Sequence, residues 1–329
     1  MSLSPRTVGI AAAVVTVAIW TGFIVIGRAS AGHTLLPFDI ALLRILGASV
    51  VLLPWGWVLA RRQRRHSPGA VSMFGFSPLP WRQTAAAGLF GGALYAALCY
   101  AGFFYAPAAH ASVLMPGTLP LWTALLAALV LRDRITPTRA LGLACIVGGG
   151  LLVGGASLLG AFDGGEVWKG DVIFMIAAFC WSIYGVLARK FGLQAVPATI
   201  AIIVFACFTY VPVFAALTLS GLLPTHLPQA PWGEIAFQAL FQGVGSVVIS
   251  GISFVQMVRA FGPVRSTMIT ALVPGLSALG AVLLLGEPLG WNLLAGLALV
   301  TAGILFGVRA ANQSPAARVT VPPGAGTLS

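Results

Sequence analysis

Ten uninterrupted apolar runs divide this chain. Each is long enough to cross a bilayer, which takes about 20 apolar residues as a helix. No other feature limits its folding so severely. Hydrocarbon offers no partner for backbone N–H and C=O groups, so a crossing segment pairs its backbone within itself, as a helix, or joins a closed barrel. Barrel strands are short and alternate apolar with polar residues; these runs do neither. The runs predict helices at Val8 to Ala29, Phe38 to Ala60, Trp81 to Tyr105, Ala108 to Leu131 and Pro137 to Ser157. A second set follows at Gly170 to Lys190, Pro197 to Leu219, Trp232 to Arg259, Pro263 to Leu285 and Leu289 to Val308. The fold class is an all-α membrane protein.

Charge supports this reading. Only 8% of the 329 residues are charged, against about 25% in a soluble domain. That excludes an ordinary water-soluble enzyme or a nucleic-acid module, although the net charge is +11. The basic residues follow the positive-inside pattern. With the N-terminus in the cytoplasm, fifteen of the 18 fall on inner segments, including Arg61, Arg62, Arg64, Arg65, Arg132, Arg134, Arg189 and Lys190. Only Arg28 and Lys169 fall outside, and Arg44 lies within the second helix. Both termini are therefore expected in the cytoplasm. Trp55, Trp57, Trp81, Trp168, Trp232 and Trp291 fall near helix ends, where interfacial belts form. The first run has a rival reading as a signal peptide, with Arg6 as its charged start and Ala29-Ser30-Ala31 as a cleavage site. Its apolar stretch exceeds the roughly 7 to 15 residues of such a segment, so it stays a span. The last stretch, 310–329, rich in Pro, Gly and Ala, reads as a disordered cytoplasmic tail.

The second half repeats the first. Trp20 and Arg28 stand eight apart, as do Trp181 and Arg189. Trp81, Leu89-Phe90 and Gly92 match Trp232, Leu240-Phe241 and Gly243. A shift of 154 aligns Ser112 with Ser266, Pro120 with Pro274, Asp133 with Glu287, Gly142 with Gly296 and Gly149 with Gly303. The units are 7–157 and 170–309, joined by an external linker at 158–169. Five helices per unit is odd, so the second copy enters the membrane inverted. Inverted repeats build many secondary transporters, with the substrate site near the midplane between the halves.

These features resemble the drug/metabolite transporter superfamily, EamA type. The resemblance rests on the inverted five-plus-five repeat and on Ala18-Ile19-Trp20 and Phe179-Cys180-Trp181 in the first helix of each half. Leu119-Pro120…Arg132-Asp133 and Val273-Pro274…Gly286-Glu287 in the fourth helices add to it. It spans about Thr7 to Arg309. The run Phe179-Cys180-Trp181-Ser182-Ile183-Tyr184 and the region of Tyr95 look most like the YddG-type amino-acid exporters. One departure is that Leu43-Arg44 resembles the family's first repeat, whereas the second has Val204 and Phe205. The resemblance implies a multi-pass protein of a bacterial inner membrane that exports a small molecule, as a monomer or weak oligomer.

Candidate site residues follow. Pro116, Pro120 and Pro274 interrupt helical hydrogen bonding; they serve a site or hinge, or form packed kinks. Trp20 and Trp181 lie near mid-helix, where an indole N–H needs a partner or a wet cavity; they line a cavity or pack helices. Tyr184 shares a face with Trp181, and Tyr95 follows a glycine stripe. Gln238, Gln242, Ser246 and Ser250 recur every four residues. Such a polar stripe faces protein or water rather than lipid, and Gln242 and Ser246 are read as cavity lining. Arg44 is the deepest charge, and its unrelieved burial would cost about 2.5 to 3.5 kcal/mol. It snorkels or packs, or it binds a carboxylate. His110 titrates near the outer surface or makes a plain polar contact.

Asp133 and Glu287 are expected to organise tight turns. Cys99, Cys145, Cys180 and Cys207 lie in apolar runs without metal spacing. No catalytic motif, metal site or cofactor is expected, and no acid falls mid-membrane. The expected substrate is a small neutral or zwitterionic metabolite, an amino acid before a nucleoside, sugar or drug. A channel is the remaining alternative.

Overall fold

The computed structural model describes residues 4–65, 69 and 71–313. Among them, ten helices are long and apolar enough to span a membrane. They are α1 (Arg6–Gly32), α2 (Pro37–Arg64), α3 (Trp81–Tyr105), α4 (Ala108–Leu131) and α5 (Pro137–Asp163). The second set is α6 (Val167–Lys190), α7 (Ala195–Leu219), α8 (Trp232–Gly262), α9 (Arg265–Leu285) and α10 (Trp291–Val308). These match the predicted runs closely, because hydrocarbon leaves an apolar run no alternative to the helix. Helix continues past α10 to Gln313, into the stretch expected as tail; 314–329 lie outside the described residues.

Local signals fix the ends. Ser4 accepts from Thr7 N at the start of α1, and Thr136 accepts from Arg139 N at the start of α5. Arg132 closes α4 in the left-handed conformation (φ 58°), and Gly286 closes α9 the same way (φ 66°). A shift of 154 superposes these two positions. Gly262 (φ 80°, ψ 164°) turns α8 directly into α9.

Packing reveals the two-fold relation between the halves. α5 lies along α10; α3 packs on α6 as α1 packs on α8; α2 packs on α8 as α7 packs on α3. Exchanging each helix for its counterpart reproduces the pattern. The α5–α10 seam shows the axis directly. A methyl group on Gly142 would sit 2.7 Å from the Gly303 carbonyl oxygen, and one on Gly149 would sit 2.5 Å from that of Gly296. Each glycine therefore faces the counterpart of its neighbour, antiparallel, at a distance only glycine permits.

The third helices share a further irregularity. α3 widens into a π-turn at Leu89–Ala93 and α8 into a longer π-segment at Ala239–Ile249. The fourth helices also break at matching places. α4 is interrupted between Leu114 and Leu119, and α9 begins afresh at Val273. Pro120 and Pro274 stand in the first turn of the restarted segments. That turn needs no N–H from them: the helix break falls where the sequence places it, and the prolines begin the new segment rather than interrupt a continuous helix.

The two membrane faces differ. One, the basic face, carries the ends of α2, α4 and α6 with Arg64, Arg132 and Lys190. The opposite face is tightly sealed. Tyr100, Phe103, Phe174, Leu35 and Ile40 are fully buried beneath it, with Phe103 edge-on to Phe174 at 5.1 Å. Polar groups tie the layer together. Asp39 accepts from Leu36 N (3.0 Å), Thr225 Oγ1 (2.6 Å) and His226 N (2.9 Å). Glu234 accepts from Leu35 N at 3.0 Å, and Gln238 Nε2 donates to Ser30 Oγ at 2.8 Å.

Candidate substrate cavity

A cavity of about 450 Å³ lies between the halves. This falls within the range of small-molecule sites, about 300 to 1,000 Å³. The first helix of each half contributes its tryptophan. Trp20 stacks on Phe254 of α8 at 5.4 Å, and Trp181 meets Tyr95 of α3 at 4.7 Å and Tyr184 at 5.2 Å. Both broken fourth helices reach the wall, α4 through Met115, Pro116 and Leu119, α9 through Val273. Leu119 and Val273 are counterparts at the shift of 154. Toward the basic face the wall continues through Ala188, Ala195 and Thr199, at the join of α6 and α7. On the other side Phe23 meets Tyr100 and Phe103 edge-on at 6.0 and 5.9 Å, which closes the cavity against the sealed layer.

Arg44 of α2 is the single charged residue among the described lining. Its Nη1 donates to Ser246 Oγ at 2.7 Å and to the Gln242 carbonyl at 3.4 Å. The guanidinium carbon lies 5.2 Å from the centre of the Phe23 ring, a cation–π contact. Arg44 therefore turns inward to α8 and does not snorkel to the surface.

The predicted residues divide as follows. Trp20, Tyr95, Trp181, Tyr184, Ser246, Arg44 and Pro116 line the cavity, and Pro120 and Pro274 are not among its lining residues. Gln242 is a correction. Its side chain is fully buried outside the lining, and neither amide atom has a hydrogen-bond partner among the described residues. The four-residue stripe assumes α-helical periodicity, and the π-segment of α8 rotates successive residues off that face. Gln238, in the α-helical turn before that segment, donates to Ser30. His110 is far from the cavity, at the start of α4. Its Nδ1 lies 3.0 Å from Asp171 Oδ1, and Ser157 also donates to that carboxylate.

Sequence reasoning missed Phe23 and Phe254. Phe254 prolongs the series Ser246, Ser250 by one more step of four, and Phe23 stands three after Trp20. Both signals were present, but aromatic residues in apolar helices are too common to stand out. It also missed the role of Glu287. That carboxylate accepts from Ala108 N (2.9 Å) and Ala109 N (3.0 Å) at the start of α4 and lies 3.5 Å from Arg28 Nε. Its backbone N–H closes the expected turn on the Ala281 carbonyl at 3.2 Å, and its side chain adds a contact between halves.

A larger groove of about 700 Å³ runs between α1 and α9. Val14, Leu272 and Leu283 stand exposed along it, and of its lining only Thr21 has a polar side-chain atom. It belongs to the lipid-facing surface, with one hydroxyl and no charged group to orient a polar solute.

Comparison with known proteins agrees with this geometry. The model of the EamA-like transporter family matches residues 7–155 and again 168–309. A protein of Bacillus subtilis (strain 168), named uncharacterized transporter YyaM, is 28% identical over 228 residues, 66% of this chain and 69% of that one. A solved structure, described only as the crystal structure of a protein, superposes with a TM-score of 0.57. It is 21% identical and covers 94% of this chain and 99% of its own. At that identity the likeness is one of fold.

Proposed function

The chain belongs to the EamA-like transporter family, and we propose that within it the protein exports small neutral or zwitterionic metabolites, chiefly amino acids with aromatic or apolar side chains. The observation that carries this reading is the cavity on the two-fold axis. Aromatic rings from both halves face it, and its wall reaches the basic face while the opposite face is sealed. Two inverted halves of similar sequence have two nearly equivalent arrangements, one open to each side. Exchanging their roles moves the cavity across the bilayer without moving the solute along a pore. The positive-inside rule makes the basic face cytoplasmic, so the described state loads from inside, as an exporter in a bacterial inner membrane does. The likeness to YddG-type exporters in the region of Tyr95 and Trp181 favours amino acids.

No Asp or Glu lies among the described cavity-lining residues. That supports downhill facilitated movement over proton exchange through a buried acid. Sugar phosphates would call for a basic cluster, and the lining supplies one arginine.

Counterflow tests the proposal. Proteoliposomes loaded with unlabelled phenylalanine, leucine, uridine or glucose are offered the labelled compound outside. Phenylalanine and leucine are expected to accumulate transiently, and uridine and glucose to stay at the protein-free level. Accumulation of uridine or glucose alone would reassign the substrate, and unitary currents in planar bilayers would make it a channel.

A further inference from the structure

Arg44 marks the place where the two halves of the cavity part company. The shift of 161 that pairs Trp20 with Trp181 sets Arg44 against Phe205. Phe205 does not line the cavity; it lies against Gly88 and 6.1 Å from the ring of Trp81. The shift of 151 that pairs Gly92 with Gly243 sets Ser246 against Tyr95. One half thus presents a hydrogen-bonded Arg44–Ser246 pair, and the other presents Tyr95 against Trp181.

Among the described residues the arginine has no acidic partner. The ion pairs among the described residues are Arg28–Glu287, His110–Asp171, Lys169–Glu166 and Arg189–Asp133. A half-buried intramembrane cation without a carboxylate is costly, and the counterpart position does without one. Its hydrogen bonds to Ser246 and Gln242 leave from Nη1 alone, and a guanidinium has five donors. The Nη2 and Nε edge is the two-pronged donor that a carboxylate fits. The Tyr100 hydroxyl is buried beside this guanidinium.

We propose that Arg44 is the carboxylate anchor of the cavity and sets its specificity: solutes bind by a carboxylate on Arg44, with an apolar or aromatic body reaching toward Tyr95, Trp181 and Tyr184. This deepens the amino-acid reading and rests on it. The substrate class becomes apolar monocarboxylates, of which amino acids are one case; the amino group is dispensable and the carboxylate is not.

The test is a competition panel against labelled phenylalanine in wild-type proteoliposomes. The competitors share one ring and differ only in their polar ends: phenylalanine, 3-phenylpropionate, phenylalanine amide and phenethylamine. The acids are expected to compete comparably, and the amide and amine at least about tenfold more weakly, the loss that goes with a charge-assisted hydrogen bond. Arg44→Gln levels the four compounds, and Arg44→Lys, which keeps the charge without the fork, falls between. Phenethylamine competing as well as 3-phenylpropionate in the wild type would overturn the anchor. If the wild type moves no amino acid, the parent reading fails separately. The anchor is then read from thermal unfolding of purified protein. A rise with 3-phenylpropionate that is absent with phenethylamine and in Arg44→Gln upholds it, and equal rises overturn it.

Discussion

Arg28 with Glu287 on the sealed face and Arg189 with Asp133 on the basic face are the same contact made once by each half. A shift of 161 carries one arginine to the other, and a shift of 154 carries one acid to the other. Their surroundings differ. Glu287 is 11% exposed and holds three partners: Arg28 and the N–H groups of Ala108 and Ala109. Asp133 is 24% exposed and its partner, Arg189, is 62% exposed; their two-pronged contact, at 2.5 and 3.2 Å, joins only α6 to the end of α4. Glutamate reaches one methylene further than aspartate, far enough to cap the first turn of α4, where the helix dipole welcomes a negative charge. The halves therefore share a framework and differ in reach. The difference favours the arrangement in which the sealed face stays shut.

Substituting symmetry mates in parallel sharpens this comparison, because equal responses report the shared framework and unequal ones report the departures. The largest effect is expected at the α5–α10 seam. Gly149→Leu and Gly303→Leu each force a side chain into the facing backbone, whose carbonyl oxygens lie 2.5 Å from a first methyl in both. Overpacking of about 1 to 3 kcal/mol or more should lower monodisperse yield in detergent alike for both. A strongly one-sided loss would break the two-fold reading of the seam.

Next come the acids. Glu287→Gln is expected to reduce stability by about 1 to 3 kcal/mol, because it weakens a largely buried, charge-assisted cap. Asp133→Asn should cost less than about 1 kcal/mol, as exposed pairs do. Thermal unfolding in detergent measures both, and equal losses would erase the contrast between the faces. Smaller again are the tryptophans. Trp181→Ala loses ring contacts with Tyr95 and Tyr184, and Trp20→Ala loses one with Phe254, each contact worth about 0.5 to 1.5 kcal/mol. Both should lower counterflow at unchanged membrane yield, Trp181→Ala by more. Wild-type transport in both would remove them from the site. The smallest effect is a gain. Arg132 adopts the left-handed conformation that Gly286 occupies in the other half, so Arg132→Gly should raise stability by up to about 1 kcal/mol. A fall in melting temperature would show that the Arg132 side chain supports the turn.

The spans and the repeat were legible in the sequence because lipid imposes one solution on an apolar run and because Pro, Gly and acidic matches at a fixed shift are rare. Trp20 and Trp181 were legible for a related reason, since an indole mid-helix needs an explanation. Gln242 was misplaced because periodicity arguments presuppose 3.6 residues per turn, and nothing in Ala239–Ile249 announces a π-segment. Pro120 and Pro274 were placed at the right break but not in the first turn of the restarted segment, because a proline beginning a helix and one kinking it leave the same local signature. Glu287 was read only as a turn residue because its side-chain partners, Arg28 and the start of α4, lie far away in sequence. Contacts between halves are set by the fold and leave no spacing to read.

The glycine seam has a consequence for ancestry and for engineering. Gly142 and Gly149 meet Gly303 and Gly296 as near-identical surfaces, the isologous geometry of a homodimer. Nothing in that contact requires the two surfaces to come from one polypeptide. A five-helix unit threaded into the bilayer both ways up would find the same embrace in its own twin. Severing the chain at Gly164–Glu166 should accordingly leave two fragments able to recognise each other when made together.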